Sequence, residues 1–405
     1  MSRTWVGGAV GSHGPAATTG ARPDEARRHN RAALLRRLHV DGPTTRATLA
    51  TELGLNRSTI KAVVDGLAES GVVTEAVPAR RTGAGRPSLM VLPDPQAAVV
   101  LSVDVRVDRV AMAVVGLGGQ ILGRHSWNLH RGTRLPGEVI THIAESAELL
   151  ADELALVPQA AGISVPGVVR RDDGLVHEAP NLGWRDVALG ARLGSVLKKP
   201  VQVANDAELG ALAEYVRGLA RDVADLVWVS ADYGVGGGVV AGGRPLRGTA
   251  GYVGELGHMT VRHDGRDCYC GNRGCWETEV GEAALRRALG LPEGGPRGVV
   301  VAELRALEAG LAAGVRTDPL VEFAEWLATG LITVVNLLAP QLVVLGDLFT
   351  ALPRCVVDDV RAMVHERSLV SRAVGGTRIE TSPLGRDAKL VGAAELAFEP
   401  VLGAV

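Results

Sequence analysis

The sequence predicts an α/β body behind a small, mainly helical N-terminal module. From Val99 onward, short runs of branched apolar residues alternate with glycine-containing turns and helical stretches, which is the pattern of α/β proteins. Before Val99, three segments with helical spacing precede a hairpin. A third observation concerns the body, where one His and three Cys lie close together in sequence and indicate a metal site.

Length and composition are those of an ordinary globular protein. The 405 residues allow two or three domains, and 46% hydrophobic with 22% charged residues exclude a largely disordered chain. Because the chain has no run of 18 apolar residues and no leader-like start, we expect neither a membrane span nor a secretory signal. Residues 1–22 are predicted to be a disordered tail. Three of the four Cys are clustered, so we expect metal binding in a reducing cytoplasm rather than disulfides.

Charge is divided unevenly along the chain. Residues 1–91 carry 13 Lys and Arg against 7 Asp and Glu, whereas the remainder carries 30 against 38. A net charge of +6 therefore precedes one of −8. A basic front part on an acidic body indicates an anionic partner for the front part alone.

The N-terminal module follows the order helix, short helix, turn, helix and hairpin. Its predicted elements are helices at Arg27–His39, at Arg46–Glu52 and from Asn56 onward, and strands from Val72 and at Leu89–Leu92. Thr45 and Asn56 stand at the starts of the second and third helices, where their side chains can accept hydrogen bonds from free backbone N–H groups. This order is that of a winged helix-turn-helix, which we place at residues 23–93.

Polar and basic side chains cluster where a recognition helix would meet DNA. The candidate DNA-binding residues are Thr45, Arg46, Asn56, Arg57, Ser58, Thr59 and Lys61. These side chains can donate to phosphates and base edges. At the hairpin tip, Arg81 and Arg86 make a slim cationic wing that suits an A·T-rich minor groove. Such modules also mediate protein contacts, but the basic charge and the wing favour double-stranded DNA as the partner.

One His and three Cys fall within 18 positions of the body, and they are His258, Cys268, Cys270 and Cys275. A Cys-x-Cys pair, a third thiol and an imidazole supply the four ligands of a tetrahedral zinc site. Gly271 and Gly274 allow the tight turns that such a knuckle needs. Four protein ligands leave no open position for water, so the zinc would be structural. Glu255 and Glu277 flank the set, which suggests that the metal shapes a second, polar site. The alternative is three unrelated buried thiols.

The body resembles the ROK family (repressors, open reading frames and sugar kinases). The likeness runs from about Val99 to the end and rests on Gly162–Gly167, Ala179–Leu182 with Trp184, Asn205–Ala207, Gly234–Gly238, Gly254–His258 and Cys268–Glu277. It implies an actin-like, hexokinase-like fold of two lobes for residues 97–405. One lobe would be about 97–205 plus a C-terminal helix at 386–405, and the other about 206–385.

The resemblance also implies a sugar site. Five residues match the sugar-contacting positions of the family: Asn205, Asp206, Glu255, His258 and Glu277. In kinase members the residue that matches Asp206 is the general base. His258 would ligate zinc through one ring nitrogen and face the sugar with the other, and Trp276 could line the pocket. Carboxylates, an amide and an imidazole suit a sugar, because each hydroxyl is both a donor and an acceptor.

The segments that bind ATP phosphates in kinases of this fold are altered. Those kinases have an Asp followed by Gly-Gly-Thr, whereas this chain reads Asp-Val-Arg-Val-Asp at Asp104–Asp108, and branched side chains block a close approach of backbone to phosphate. Asp232 precedes the glycine run and would repel a phosphate. Asp347 stands where the kinases usually have a second Gly. We therefore predict that the chain is not an enzyme.

The combined features predict a DNA-binding transcriptional regulator of carbohydrate genes, a repressor controlled by a small sugar effector. We expect a homodimer or homotetramer, because such regulators read two half-sites about one helical turn apart. Two alternatives stay open: an active ATP-dependent sugar kinase with an attached DNA-binding module, and a regulator that senses another protein and binds no sugar.

Overall fold

The structure is a computed structural model that describes residues 23–77, 89–130, 134–249, 253–312 and 318–404. The predicted tail at residues 1–22 and the predicted wing residues Arg81 and Arg86 lie outside the described residues.

The N-terminal module has the three predicted helices and the hairpin in the predicted order, together with a short strand at Thr44–Thr45 that was not predicted. Its elements are α1 (Pro23–Asp41), β1 (Thr44–Thr45), α2 (Arg46–Leu53), α3 (Arg57–Glu69), β2 (Val73–Ala76) and β3 (Met90–Pro93), with the strands in the order β1-β3-β2. Both predicted caps form, because Thr45 Oγ1 accepts from the Thr48 N–H at 3.1 Å and Asn56 Oδ1 accepts from the Thr59 N–H at 2.8 Å. Helix α1 starts earlier than the predicted Arg27, since a proline such as Pro23 is well suited to the first turn of a helix.

The first lobe of the body is built on a mixed sheet. Its elements are β4 (Val99–Val105), β5 (Arg109–Gly116), β6 (Ile121–Asn128), α4 (Pro136–Leu154), β7 (Ala161–Val165), β8 (Val168–Arg170), β9 (Leu175–Ala179), β10 (Trp184–Ala188), α5 (Leu189–Leu197) and β11 (Val201–Asn205). The main sheet has the order β11-β7-β4-β5-β6, and β8 to β10 form a small antiparallel sheet beside it.

The second lobe is built on another mixed sheet, and one last helix returns to the first lobe. The elements are α6 (Asp206–Val216), β12 (Leu226–Ala231), β13 (Val235–Ala241), β14 (Arg244–Pro245), α7 (Trp276–Val280), α8 (Glu282–Ala288), α9 (Arg297–Ala312), α10 (Val321–Leu338), β15 (Leu342–Asp347), α11 (Arg354–Arg367), α12 (Leu369–Ala373), β16 (Arg378–Thr381) and α13 (Ala388–Ala404). The sheet has the order β14-β13-β12-β15-β16.

The two large sheets repeat one topology. In each sheet the first strand pairs antiparallel with the second and parallel with the fourth. Val103 lies opposite Met112 and Ile163 in the first sheet, just as Val229 lies opposite Gly237 and Leu345 in the second. This repetition gives the predicted two-lobed plan and brings the first hairpin turn of each sheet to the cleft between the lobes.

Helices α6 and α13 pack against each other at the junction of the lobes and the module. A Cβ on Gly392 would lie 1.9 Å from the Leu209 carbonyl oxygen, so only glycine lets the two helices approach this closely. The apolar side of α1 shares one buried cluster with α13, formed by Leu34, Leu35, Leu38, Leu390, Ala394, Phe398 and Val401 among others. The N-terminal module is therefore docked on the body by a common core.

Helix α10 is the one described helix long and apolar enough to cross a membrane by length and composition. Its residues Phe323, Leu327, Leu331 and Val334 are buried in the apolar core of the second lobe, a cluster that also contains side chains of β12 and β15. This packing is that of a core helix of a globular domain.

Candidate functional site

The start of α6 brings two predicted site residues to the cleft between the lobes. Asn205 caps the helix, since its Oδ1 accepts from the Ala207 and Glu208 N–H groups at 2.8 and 3.1 Å, and its amide donates to the Gly167 carbonyl at 2.9 Å. Asp206 follows in the first turn and pairs with Lys389. The amide of Asn205 thus has a structural task, while the Asp206 carboxylate faces the cleft.

The glycine run at Gly234–Gly238 forms strand β13 rather than a free phosphate loop. A Cβ on Gly238 would lie 2.3 Å from the Ala207 carbonyl oxygen, and one on Gly236 would lie 2.9 Å from the Ala207 Cβ. On the other face, a Cβ on Gly237 would meet the Leu256 side chain at 2.5 Å. The glycines therefore let α6 and the segment that carries His258 both approach the strand.

A short 3₁₀ helix at Leu256–His258 places two more predicted residues beside Asp206. His258 Nε2 faces the cleft, 3.1 Å from the Tyr269 hydroxyl and 3.9 Å from Glu255 Oε2. The Glu255 side chain is 54% exposed. Its partial desolvation in the cleft raises the pKa of Glu255, His258 opposes that rise, and the nearby Asp206 and Glu277 carboxylates add to it.

The predicted metal ligands form a compact cluster. The four candidate ligand atoms of His258, Cys268, Cys270 and Cys275 all lie within 4.8 Å of one another. His258 turns Nδ1 towards Cys268 Sγ at 3.6 Å, and the sulfurs of Cys270 and Cys275 are 3.7 Å apart. The predicted turns form at Gly271 and Gly274, with φ of 88° and 70°. This cluster could bind a metal ion, and the ring nitrogen of His258 that it leaves free faces the cleft.

Glu277 connects the cysteine cluster to the cleft. It is 8% exposed; its Oε1 accepts from the Cys268 thiol at 2.9 Å, and its Oε2 accepts from the Val235 N–H at 3.4 Å. A Cβ on Gly234 would lie 2.7 Å from Oε2, so the glycine at the start of β13 makes room for the carboxylate. The cysteine cluster, the glycine run and the Glu277 carboxylate are thus packed against one another.

A buried ionic network fills the side of the cleft where the sequence differs from a kinase. Arg106 donates to Asp104 Oδ2 at 2.5 Å and to the Arg386 carbonyl at 2.6 Å, and it lies 3.5 Å from Asp347. Lys389, 2% exposed at its side chain, bridges Asp206 and Asp347, the latter at 2.8 Å. Burial alone would lower the pKa of Lys389, but Asp206 and Asp347 raise it, so the ammonium group stays charged.

The structure brings all five predicted sugar-site residues to one cleft, which we call the polar pocket. Sequence reasoning missed several residues that line it, namely Asn181, Tyr233, Tyr269 and Lys389. Lys389 could have been noticed in the sequence, because Lys389 and Glu395 are the only charged residues in the otherwise apolar stretch between Ala388 and Phe398. The suggestion that Trp276 lines the pocket is wrong, since its indole is buried against Gly330 in the second-lobe core and donates to the Trp326 carbonyl at 2.9 Å.

The described DNA-binding candidates divide into free and engaged side chains. Arg57 is exposed at the start of α3 and makes no ion pair among the residues that the structure describes, while Ser58 donates to Asn56 Oδ1 at 2.7 Å. Arg46 instead joins α2 to β2 and α3 through Glu75 at 2.5 Å and Asp65 at 2.7 Å. Lys61 also pairs with Asp65, at 2.5 Å. Arg57 is therefore the most available cation on the predicted recognition helix.

The comparison with known families decides the classification. The model of the ROK family matches residues 100–399. The chain belongs to the ROK family. Among its relatives is the xylose repressor of Bacillus subtilis (strain 168), 29% identical over 380 residues, which cover 92% of this chain and 96% of that protein. Another is the glucokinase of Streptomyces coelicolor (strain ATCC BAA-471 / A3(2) / M145), 30% identical over 320 residues, which cover 75% of this chain and 98% of that protein.

Solved structures agree on the fold. The crystal structure of a ROK family transcriptional regulator, a homologue of the E. coli MLC protein, superposes with a TM-score of 0.74 and 24% identity. It covers 93% of this chain and 97% of that chain. The repressor and the regulator thus match nearly the whole length of this chain. The glucokinase matches 75% of it, and the remaining quarter is about the share of the chain that precedes residue 100.

Proposed function

We propose that this ROK protein is a sugar-responsive transcriptional repressor that binds double-stranded operator DNA through its N-terminal module. The observation that carries the proposal is the full-length similarity to a xylose repressor, in which module and body are matched together. Two features of the structure support the proposal: helix α3 of the basic module exposes Arg57, which could contact DNA, and the body has a polar pocket that could bind the sugar.

The ligand of the polar pocket would be a neutral sugar. Four acidic residues, Asp206, Asp232, Glu255 and Glu277, line the pocket. The two cations that line it, Arg106 and Lys389, are already paired with aspartates. A phosphorylated sugar would bring its charge next to these carboxylates, whereas neutral hydroxyls can donate to them and accept from His258 and Tyr269.

The metal would be structural Zn²⁺. Zinc bonds of about 2.3 Å to sulfur and about 2.0 Å to nitrogen place neighbouring ligand atoms of a tetrahedron about 3.5 to 3.8 Å apart. The 3.6 Å from Cys268 to His258 and the 3.7 Å from Cys270 to Cys275 fit these edges. Zinc there would favour the thiolates and fix the His258 ring, so that Nε2 keeps its direction into the pocket.

Sugar phosphorylation is the competing activity, since a glucokinase is 30% identical to this chain. A catalytic base must accept a proton from the attacked hydroxyl, but Asp206 is held in an ion pair with the buried Lys389. Arg106 and Lys389 also occupy the cleft next to Asp347. We therefore propose that the chain binds a sugar and does not phosphorylate it.

Operator recognition would use two copies of the chain, as a homodimer or homotetramer, because paired half-sites need paired recognition helices. The described cationic and polar contacts would come from the start of α3, with Arg57 and Ser58 nearest the DNA. Arg81 and Arg86 remain proposed wing contacts to the minor groove.

The experiment that tests the proposal combines operator binding with sugar titration. Operator DNA selected from a random library by the purified protein is labelled, and its anisotropy is followed against a panel of neutral hexoses, pentoses and amino sugars. We expect one sugar to change operator affinity at least about fivefold, the lower end of typical allosteric coupling. If no sugar binds by calorimetry while operator binding persists, the chain senses another partner.

Two variants refine this test. Glu255→Ala should keep operator binding and lose the sugar response. Glu255 lines the pocket, and its one ion pair among the described residues is a loose contact with His258 at 3.9 Å, so the change should leave the fold intact. Asp264→Ala is the matched control, since this carboxylate lies on the same segment but pairs outward with Arg262. With ATP and the bound sugar, turnover above about 1 s⁻¹ would instead establish a kinase.

A further inference from the structure

Helices α6 and α13 each have one end at the polar pocket and the other at the N-terminal module. Helix α6 runs from Asp206 in the pocket to Arg217 at its C-terminal end. Helix α13 carries Lys389 at the pocket and Glu395 six residues later, about 9 Å along the helix axis. The two helices pack directly at Gly392, so they are joined along their length as well as through their ends.

The pocket end of this helix pair is held by Lys389. Its ammonium group pairs with Asp206 on α6 and with Asp347 at the end of β15, 2.8 Å away. Asp232, at the end of β12, lies 3.9 Å from it. A sugar hydroxyl that donated to Asp206 would compete with Lys389 for that carboxylate, so ligand binding would act on the contact between α6 and α13.

The module end is held by a buried cluster of Glu395, Arg217 and His39. Glu395 accepts from Arg217 Nε at 2.7 Å and lies 3.1 Å from His39 Nε2. Arg217 also donates to the His39 carbonyl at 2.7 Å, at the C-terminal end of α1 where carbonyls lack helical partners. Arg221 adds a pair with Asp41 at 2.6 Å. The last turn of α1 thus contacts Glu395 on α13 and two arginines, Arg217 at the C-terminal end of α6 and Arg221 just beyond it.

His39 also contacts the first lobe. The Gly118 N–H donates to His39 Nδ1 at 2.9 Å, while the other ring nitrogen, Nε2, lies 3.1 Å from Glu395 Oε2. The His39 ring packs on Phe398 of α13, with centroids 4.2 Å apart. Module, first lobe and the helix pair therefore meet at one side chain that is 1% exposed.

We propose that α6 and α13 are the coupling unit between pocket and DNA-binding module, with Lys389 and Glu395 as its two positioning residues. The inference rests on the proposed function, because it assigns the route by which the sugar site controls the module. When the Asp206–Lys389 contact changes, α13 shifts against α6, and Glu395 and Arg217 carry that shift to the last turn of α1.

Hydrogen exchange tests the coupling without a sugar or an operator, so its outcome is separate from that of the proposed function. The measured quantity is the protection of the backbone amides of the last turn of α1 in the full chain. Lys389→Met removes the pocket contact, and Glu395→Gln removes the charge at the module end. We expect both to lower this protection by at least about tenfold, within the range of typical coupling. Asp387→Asn is the control, because its pair with Arg124 is exposed and should leave α1 unchanged.

A different result is expected if Glu395 only holds the module on the body and the pocket end has no influence on α1. If Glu395→Gln lowers the protection of α1 and Lys389→Met leaves it at the wild-type value, the proposal is refuted. Should Lys389→Met fail to fold, Asp206→Asn replaces it, since this change removes the charge but keeps the size of the partner. Failure of the sugar panel with a positive exchange result would refute the proposed effector and leave the coupling unit standing.

Discussion

Glu395 gives a prediction whose magnitude follows from its surroundings. Burial would raise the pKa of Glu395, but Arg217 and His39 lower it to about 2, from an ordinary value of 4.5. At about 1.4 kcal/mol per unit, such a shift stabilises the folded protein by roughly 3 kcal/mol at pH 7. Glu395→Gln should therefore lower the free energy of unfolding by about that amount, because Arg217 also loses its partner.

The sign of the pH dependence follows from the lowered pKa. A carboxyl group with a lower pKa in the folded state stabilises the protein above its unfolded pKa, and that contribution is lost as pH falls towards the folded pKa. Of the roughly 3 kcal/mol at pH 7, about 1 kcal/mol should remain at pH 3. The stability difference between the wild type and Glu395→Gln should shrink accordingly on acidification.

Urea titrations of both proteins at pH 7 and at several lower pH values measure this difference. Unfolding of the module is followed by circular dichroism together with hydrogen exchange of α1, because a chain of several domains need not unfold in one step. A difference that is the same at pH 7 and pH 3 would show that the variant acts through packing alone. No destabilisation at pH 7 would refute the assignment of the buried charge pair.

Three further predictions concern the pocket, the metal cluster and the module. Cys270→Ser should lose bound zinc, measured by elemental analysis, and lose the sugar response while operator binding persists; a full zinc content would exclude Cys270 as a ligand. Gly238→Ala should lower the melting temperature and sugar affinity, because its Cβ would lie 2.3 Å from the Ala207 carbonyl, and unchanged values would refute that close packing. Arg57→Ala should weaken operator binding with an unchanged melting temperature. Arg46→Ala should instead lower the melting temperature, because the two ion pairs of Arg46 hold the module together. The reverse pattern would show that Arg46 contacts the DNA and that Arg57 stabilises the module.

Features set by neighbouring residues could be predicted from the sequence. The caps at Thr45 and Asn56 depend on backbone groups three residues ahead, and both form. The cysteine cluster depends on spacing within one short segment, and its four ligand atoms converge. The two-lobed fold was also predicted, because its alternating strands and glycine turns resemble a known family.

Features set by distant partners could not be predicted in the same way. Lys389 and Asp206 are 183 positions apart, and Arg106 and Asp347 are 241 apart, so no local pattern indicates either pair. The glycine run illustrates the same limit, because its composition suits a phosphate loop, yet its need for glycine comes from α6 and the His258 segment on its two faces.

The ionic network explains how one fold can carry a kinase in some relatives and, as proposed, a sensor here. Phosphate transfer needs room for a polyanion and a carboxylate free to take a proton. In this chain Arg106 and Lys389 fill that side of the cleft and are neutralised by Asp104, Asp206 and Asp347. The ion pair between Lys389 and Asp206 that would withhold the base also joins α13 to the end of α6 at which we propose that the sugar binds. The proposed absence of phosphate transfer and the proposed coupling to the module would therefore depend on the same few side chains, and a Lys389 variant tests both.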